Sequence, residues 1–313
     1  MIFLWILLII AVFFLMAVLI ISYFCFRMAF YSKSRTPDDF EKESYPEGEI
    51  YEPFWPLMKE YTRQAREIPH EEFCVTSFDG LKLYGKYYEY KKGNPTELMF
   101  HGYRGTAQRD LSGAVQRCFE LGRNALIVEQ RGSRKSEGNV ITFGILEHRD
   151  CLLWVDFMIN HFGEDVRIFL TGISMGASTV LMAAGEKLPK NVIGVIADCG
   201  FSSPKAIIKK VVRDMGIPEN LGYFFVKLAA RIYGGFDLEK TSPEEALKNC
   251  TVPVLFFHGE SDDFVPCEMS KINFDACNSK KMLVTMKDAG HGLAYLVDKD
   301  KYMRSVREFF GGL

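Results

Sequence analysis

Net charge is almost absent from this chain: 38 lysines and arginines face 40 aspartates and glutamates, leaving −2 over 313 residues and a pI near 6.3. A nucleic-acid partner needs a strongly basic domain or stripe, so that class is excluded. Metal-site spacing is also missing. None of the eight cysteines stands in a Cys-x-x-Cys pair and none of the six histidines in His-x-x-x-His, so neither a metal nor another cofactor is expected. The cysteines, at 25, 74, 118, 151, 199, 250, 267 and 277, are scattered through apolar stretches and read as small buried hydrophobes. What the chain does have is apolar bulk, 48% hydrophobic and 14% aromatic, enough for the core of one large α/β domain.

Lysine and arginine are absent before residue 27, and residues 2–24, IFLWILLIIAVFFLMAVLIISYF, carry no charge at all. About 23 residues at ~1.5 Å each cross a ~30 Å hydrocarbon core, which predicts a transmembrane helix within residues 1–30. A cleaved signal peptide has a shorter apolar region and a small-residue cleavage site, whereas Tyr23, Phe24 and Phe26 follow here. Arg27, Lys33, Arg35 and Lys42 lie on the C-terminal flank, so the positive-inside bias predicts a single-pass protein with its catalytic domain in the cytosol. Unpaired cysteines agree with a reducing compartment, and the Asn249-Cys-Thr251 sequon reads as chance.

Residues 31–49 turn charged and Pro/Gly-containing and are expected to form an exposed tether, with a short helix over 51–66, so that 31–68 links the span to a domain over 69–313. Within that domain, FCVTSF and LKLYGKYY flank Asp79-Gly80 as a β-hairpin. Six short apolar runs then alternate with helix-length segments, as parallel strands with helical crossovers do. Two segments interrupt the rhythm: the polar loop 129–138, and residues 201–246, too long for a simple crossover and read as a small helical cap.

The stretch VRIFLTGISMGASTVLMAAGE, residues 166–186, reads as strand, tight turn, helix around Gly172-Ile-Ser174-Met-Gly176. In that context Gly-x-Ser-x-Gly is a nucleophile elbow, with the serine hydroxyl held clear at a helix N-terminus where negative charge is favoured. The pattern alone arises by chance about one time in ten in a chain this long, and a tight turn that merely holds a serine is the bland alternative. Further along, His258-Gly-Glu-Ser-Asp262-Asp263 leaves one strand and Ala289-Gly-His291-Gly leaves the next. The order Ser, Asp, His places all three at one edge of the sheet. An imidazole is needed to take the serine proton and a carboxylate to orient that imidazole, roles for Ser174, His291 and Asp262. Singly, His291 could be a loop histidine and Asp262 a turn cap.

These motifs, with Phe100-His-Gly-Tyr103-Arg-Gly105, resemble the α/β-hydrolase superfamily over roughly residues 70–312. Gln130-Arg-Gly through Ser136-Glu-Gly138, followed by Ile141-Thr-Phe-Gly144, is similar to bacterial esterase-like and serine-aminopeptidase-like hydrolases with small caps. The resemblance implies a mostly parallel eight-stranded sheet flanked by helices. It also implies Asp262 rather than Asp263 or Asp198 as the acid, and the backbone N–H groups of Tyr103 and Met175 as oxyanion donors. His101 and His258 are read as structural. One departure is visible: Ser133-Arg134 replaces the His-Gly of those relatives. The implied activity is cleavage of a small-molecule or lipid-like carboxylic ester through an acyl-enzyme. Amide, peptide or thioester cleavage and a non-catalytic membrane scaffold are the alternatives. A serine at position 174 excludes dehalogenase and epoxide-hydrolase chemistry, which needs a carboxylate there.

Overall fold

A computed structural model describes residues 1–33 and 45–311. It opens with helix α1 (Ile2–Ala29), followed by α2 (Trp55–Glu67) and the antiparallel hairpin β1 (Glu71–Thr76) and β2 (Lys82–Tyr88). Gly80 turns that hairpin at φ +90°, a conformation costly for any residue with a Cβ. Strand β3 (Thr96–Phe100) leads through α3 (Ala107–Asp110) and α4 (Ser112–Glu120) to β4 (Asn124–Val128), and α5 (Glu147–Phe162) leads to β5 (Ile168–Ile173). Helix α6 (Met175–Ala184) then connects to β6 (Val192–Asp198).

Between β6 and the next strand lie α7 (Pro204–Asp214), α8 (Glu219–Ala229), a π turn over Ala230–Gly234 and α9 (Pro243–Ala246). The chain closes with β7 (Val254–Gly259), α10 (Cys267–Ala276), β8 (Lys281–Met286), α11 (Ala294–Val297) and α12 (Lys299–Phe310). Local chemistry sets several starts. The Ser203 hydroxyl accepts from the Ala206 N–H ahead of Pro204, and Asp298 does the same for Lys301.

The eight strands form one sheet in the order β1-β2-β4-β3-β5-β6-β7-β8. β2 alone runs against the rest, antiparallel to both β1 and β4; every other neighbouring pair, from β4–β3 to β7–β8, is parallel. Leu98, Met99 and Phe100 are at most 1% exposed, as a strand covered by helices on both faces must be, and burying each such side chain contributes roughly 1.5–3 kcal/mol. Register aligns the strand ends: Phe100 sits opposite Gly172, Gly172 opposite Ala197, Asp198 opposite Phe257, and Gly259 opposite Met286. The loops that leave β3, β5, β6, β7 and β8 therefore meet along one edge.

Helix α1 does not hang free at its C-terminal end. Residues 2–17 are exposed all round, but Ser22, Phe26 and Phe30 are buried, at one-turn spacing. The Phe30 ring packs edge-on against Phe236 (5.2 Å) and Phe143 (5.8 Å). Of the stretch read as an exposed tether, 34–44 lie outside the described residues. Its first residues are docked: Tyr31 bridges Val140, and the Ser32 N–H donates to the Asn139 carbonyl at 2.8 Å.

Candidate active site

Strand β5 ends in a sharp turn in which Ser174 takes φ 55° and ψ −119°, a strained geometry for a non-glycine residue. The turn is possible because of its glycines. A Cβ on Gly172 would lie 2.2 Å from the Gly176 carbonyl carbon, and one on Gly176 would lie 2.0 Å from the Phe100 oxygen. Strand and helix can approach this closely only without those atoms, and the approach leaves the Ser174 side chain at the N-terminus of α6.

Loops leaving β7 and β8 bring the other two predicted residues to it. His291 Nε2 is 2.8 Å from Ser174 Oγ, and His291 Nδ1 is 2.7 Å from Asp262 Oδ2. An ionised carboxylate only accepts, so Nδ1 carries the proton and Nε2 is left to accept from the serine hydroxyl. Asp262 is 7% exposed, and its Oδ1 accepts from the Val265 (2.8 Å) and Phe264 (3.0 Å) N–H groups. Burial alone would raise its pKa, but hydrogen bonds from His258 and His291 and the Val265 N–H hold it at about 2. It is therefore ionised at neutral pH. Asp263, by contrast, is exposed.

Sequence reasoning missed part of this support. His258, read as merely structural, places Nε2 at 2.8 Å from the Val265 carbonyl and 3.2 Å from Asp262 Oδ2. A carbonyl only accepts, so Nε2 bears hydrogen and also faces the carboxylate, while Nδ1 accepts from Ser270 Oγ (2.6 Å). The Tyr51 hydroxyl donates to the His291 carbonyl (3.1 Å) from outside the strand–helix core. A histidine twelve places or fewer from its partners carries no sequence signal that separates this role from ordinary burial.

The loop after β3 places Gly102 against Ser174, where an added Cβ would meet Ser174 Cβ at 3.4 Å. This brings the segment with Tyr103 to the same point as Met175, the first residue of α6. Its conformation is clamped from three sides. The Gly102 N–H donates to Asp110 Oδ2 (3.0 Å); Gln130 binds both ends of His101, its N–H on Nε2 (3.0 Å) and its amide on the carbonyl (2.6 Å); and Ser133 Oγ donates to the Gly105 carbonyl (2.9 Å). The unusual Ser133 thus ties this loop down. On the outer side the Tyr103 hydroxyl donates to the Ala29 carbonyl (2.9 Å), and Arg104, at φ 52°, donates to the carbonyls of Met28 (2.8 Å) and Tyr31 (3.0 Å). The end of α1 is capped by the loop that borders the site.

A cavity of about 250 Å³ runs from Ser174 and His291 inward past Tyr51 to Asp198, Arg117 and Tyr302. Asp198, at the end of β6, is 7% exposed, its Oδ1 has no partner, and burial pushes its pKa up to about 6. Because the folded pKa lies above the unfolded value, its contribution to stability is fully present below about pH 4 and is lost as pH rises through about 6. Asp198→Asn is therefore expected to stabilise the protein at about pH 7.5, by up to roughly 3 kcal/mol, with the gain vanishing near pH 4. Urea unfolding at the two pH values checks this, and a loss of stability at the higher pH would show the carboxylate to be partnered. Cys199, Asp262 and His291 also offer ligand atoms within 4.8 Å of one another, but a metal there would have to displace the Asp262–His291 hydrogen bond.

A mostly parallel eight-stranded sheet with a serine elbow at its central strand is that of an α/β-hydrolase. Residues 142–312, more than half of the chain, match the Prolyl oligopeptidase family, and the chain belongs to that family. It is 24% identical to the "Uncharacterized protein YqkD" of Bacillus subtilis (strain 168) over 303 residues, 95% of this chain and 94% of that one. It is 31% identical over 160 residues to the isoprenylcysteine alpha-carbonyl methylesterase ICME of Arabidopsis thaliana, covering 45% of this chain and 37% of the relative. Among solved structures, the esterase Pf2001 of Pyrococcus furiosus superposes with a TM-score of 0.63 at 22% identity, over 79% of this chain and 92% of that one.

Proposed function

We propose that this protein is a membrane-anchored serine hydrolase that cleaves a carboxylic ester through an acyl-enzyme. Ser174 is the nucleophile, His291 the general base and acid, and Asp262 the carboxylate that orients and stabilises the imidazolium. The Tyr103 and Met175 N–H groups receive the oxyanion. In this reading residues 1–30 are the anchor, 31–68 the connection, and 69–313 the hydrolase domain with 201–246 as its cap. The domain lies on the cytosolic side in this reading, because Arg27, Lys33, Arg35 and Lys42 follow the span closely.

The observation that carries the proposal is the continuous hydrogen-bond chain from Ser174 Oγ through His291 to a buried, ionised Asp262. As Ser174 Oγ attacks the carbonyl carbon, its proton passes to His291 Nε2, which then returns it to the departing alkoxide. Water repeats the sequence on the acyl-enzyme. Each oxyanion donor is worth ~10²–10³ in turnover. Ester rather than amide cleavage is supported by the relatives named as esterases.

The test is turnover on chromogenic esters of increasing acyl length beside a peptide amide, with fluorophosphonate labelling of the folded protein. Ester turnover with label on Ser174 is expected. Amide turnover alone would favour the peptidase named by the family, and absence of both turnover and label would leave a scaffold. Protease added to intact cells checks sidedness: the hydrolase domain should survive until the cells are permeabilised.

A further inference from the structure

Helix α8 is apolar on two opposite sides. Tyr223, Val226 and Ala229 are buried against the domain, whereas Leu221 and Phe224, one turn apart on the other side, are each 54% exposed. Ile232 in the following π turn continues this outer face at 47% exposure. A second apolar face on a helix calls for an apolar surrounding of its own, and among the described residues this face stays exposed.

The position of α8 identifies that surrounding. It lies beside the last turns of α1: the Tyr233 hydroxyl donates to the Leu19 carbonyl (3.0 Å), and the Tyr233 ring meets Tyr23 edge-on at 5.5 Å. The uncharged run from Ile2 to Phe26 is about 37 Å long at ~1.5 Å per residue, against a ~30 Å hydrocarbon core. Its final turns therefore sit at the acyl–headgroup boundary, and Tyr233, which reaches back to Leu19, brings Ile232 and α8 to that depth. Charge does not drive the contact. Lys210, Arg213 and Lys227 are engaged by Asp214, Glu219 and Glu239, so little net basic charge is left for anionic lipid.

We propose that the Leu221, Phe224 and Ile232 face of α8 is a second membrane-contact surface, sunk beside the span into the boundary region of a bilayer that need not be anionic. This rests on the reading of α1 as a transmembrane anchor. The cap is then held from two sides: by lipid at α8, and by the Lys210 ammonium on the Asp263 carbonyl of the loop that carries Asp262.

The experiment uses the full chain in phosphatidylcholine vesicles with and without bromine on the acyl chains, which quenches nearby tryptophan. Native Trp5, read as the difference between wild type and Trp5→Phe, reports the span; a tryptophan introduced by Phe224→Trp, or by Leu221→Trp should that variant fail to fold, reports α8. The expected result is a blue-shifted α8 signal quenched to a fraction comparable with Trp5. Quenching of Trp5 with none at either α8 position overturns the membrane contact of α8 while leaving the anchor intact. An unquenched Trp5 removes the anchor reading and this proposal with it.

Discussion

Ser174→Ala is expected to lower ester turnover by about 10⁴-fold or more while moving unfolding stability by no more than about 1 kcal/mol. In the proposed mechanism the hydroxyl is used for bond formation, whereas the backbone strain at φ 55° is borne equally by alanine and serine. The residual rate is what two oxyanion N–H groups and binding supply without a nucleophile. The same argument separates the two neighbouring carboxylates. Asp262→Asn takes the acceptor from the His291 Nδ1 hydrogen bond and should cost about 10³–10⁴ in turnover, whereas Asp263→Asn, on an exposed side chain, should stay near wild type. Steady-state kinetics on one chromogenic ester measures all three, and a larger loss at Asp263 would overturn the assignment of the acid.

Gly176→Ala should be among the most damaging single-methyl changes in the protein. The new Cβ would lie 2.0 Å from the Phe100 oxygen, 2.5 Å from its carbonyl carbon and 2.6 Å from the His101 oxygen, all backbone atoms with no side-chain freedom to yield. Relief requires α6 to move off β3, and the expected loss is at least about 3 kcal/mol, with Ser174 carried out of reach of His291. Gly235→Ala is the matched control: its φ is +72°, but no atom lies within 4 Å, so only backbone strain of roughly 1–2 kcal/mol is added. Urea unfolding of the two variants compares them directly. Equal losses would mean that the close approach of helix and strand is not what requires a glycine at position 176.

Some of this protein is determined by local sequence. Uncharged residues 2–24 make a span-length helix, Asp79-Gly80 makes a hairpin, and short apolar runs alternating with helical segments make a parallel sheet, because each depends on periodicity and composition over a few turns. The elbow is equally local: strand, two spaced glycines and helix are contiguous, so Ser174 could be picked out before any fold was known. The order Ser174, Asp262, His291 placed three residue types at one sheet edge, but not within bonding distance.

Tertiary structure alone decided that Nδ1 and Nε2 of His291 meet Asp262 and Ser174. That depends on the register between β5, β6, β7 and β8 and on the lengths of three loops. It also decided that His258 faces the Asp262 carboxylate, that Ser133 and Gln130 clamp the loop after β3, and that Asp198 is buried without a partner for Oδ1. These are contacts between residues up to 117 positions apart, made by polar side chains whose local pattern is that of any loop or strand end. The same holds for the N-terminal helix. Its composition makes it long and apolar enough to cross a membrane, yet its contacts with Tyr103 and Arg104 depend on where the loop after β3 is held, and its contact with Tyr233 on where the turn after α8 lies, neither of which periodicity within α1 encodes.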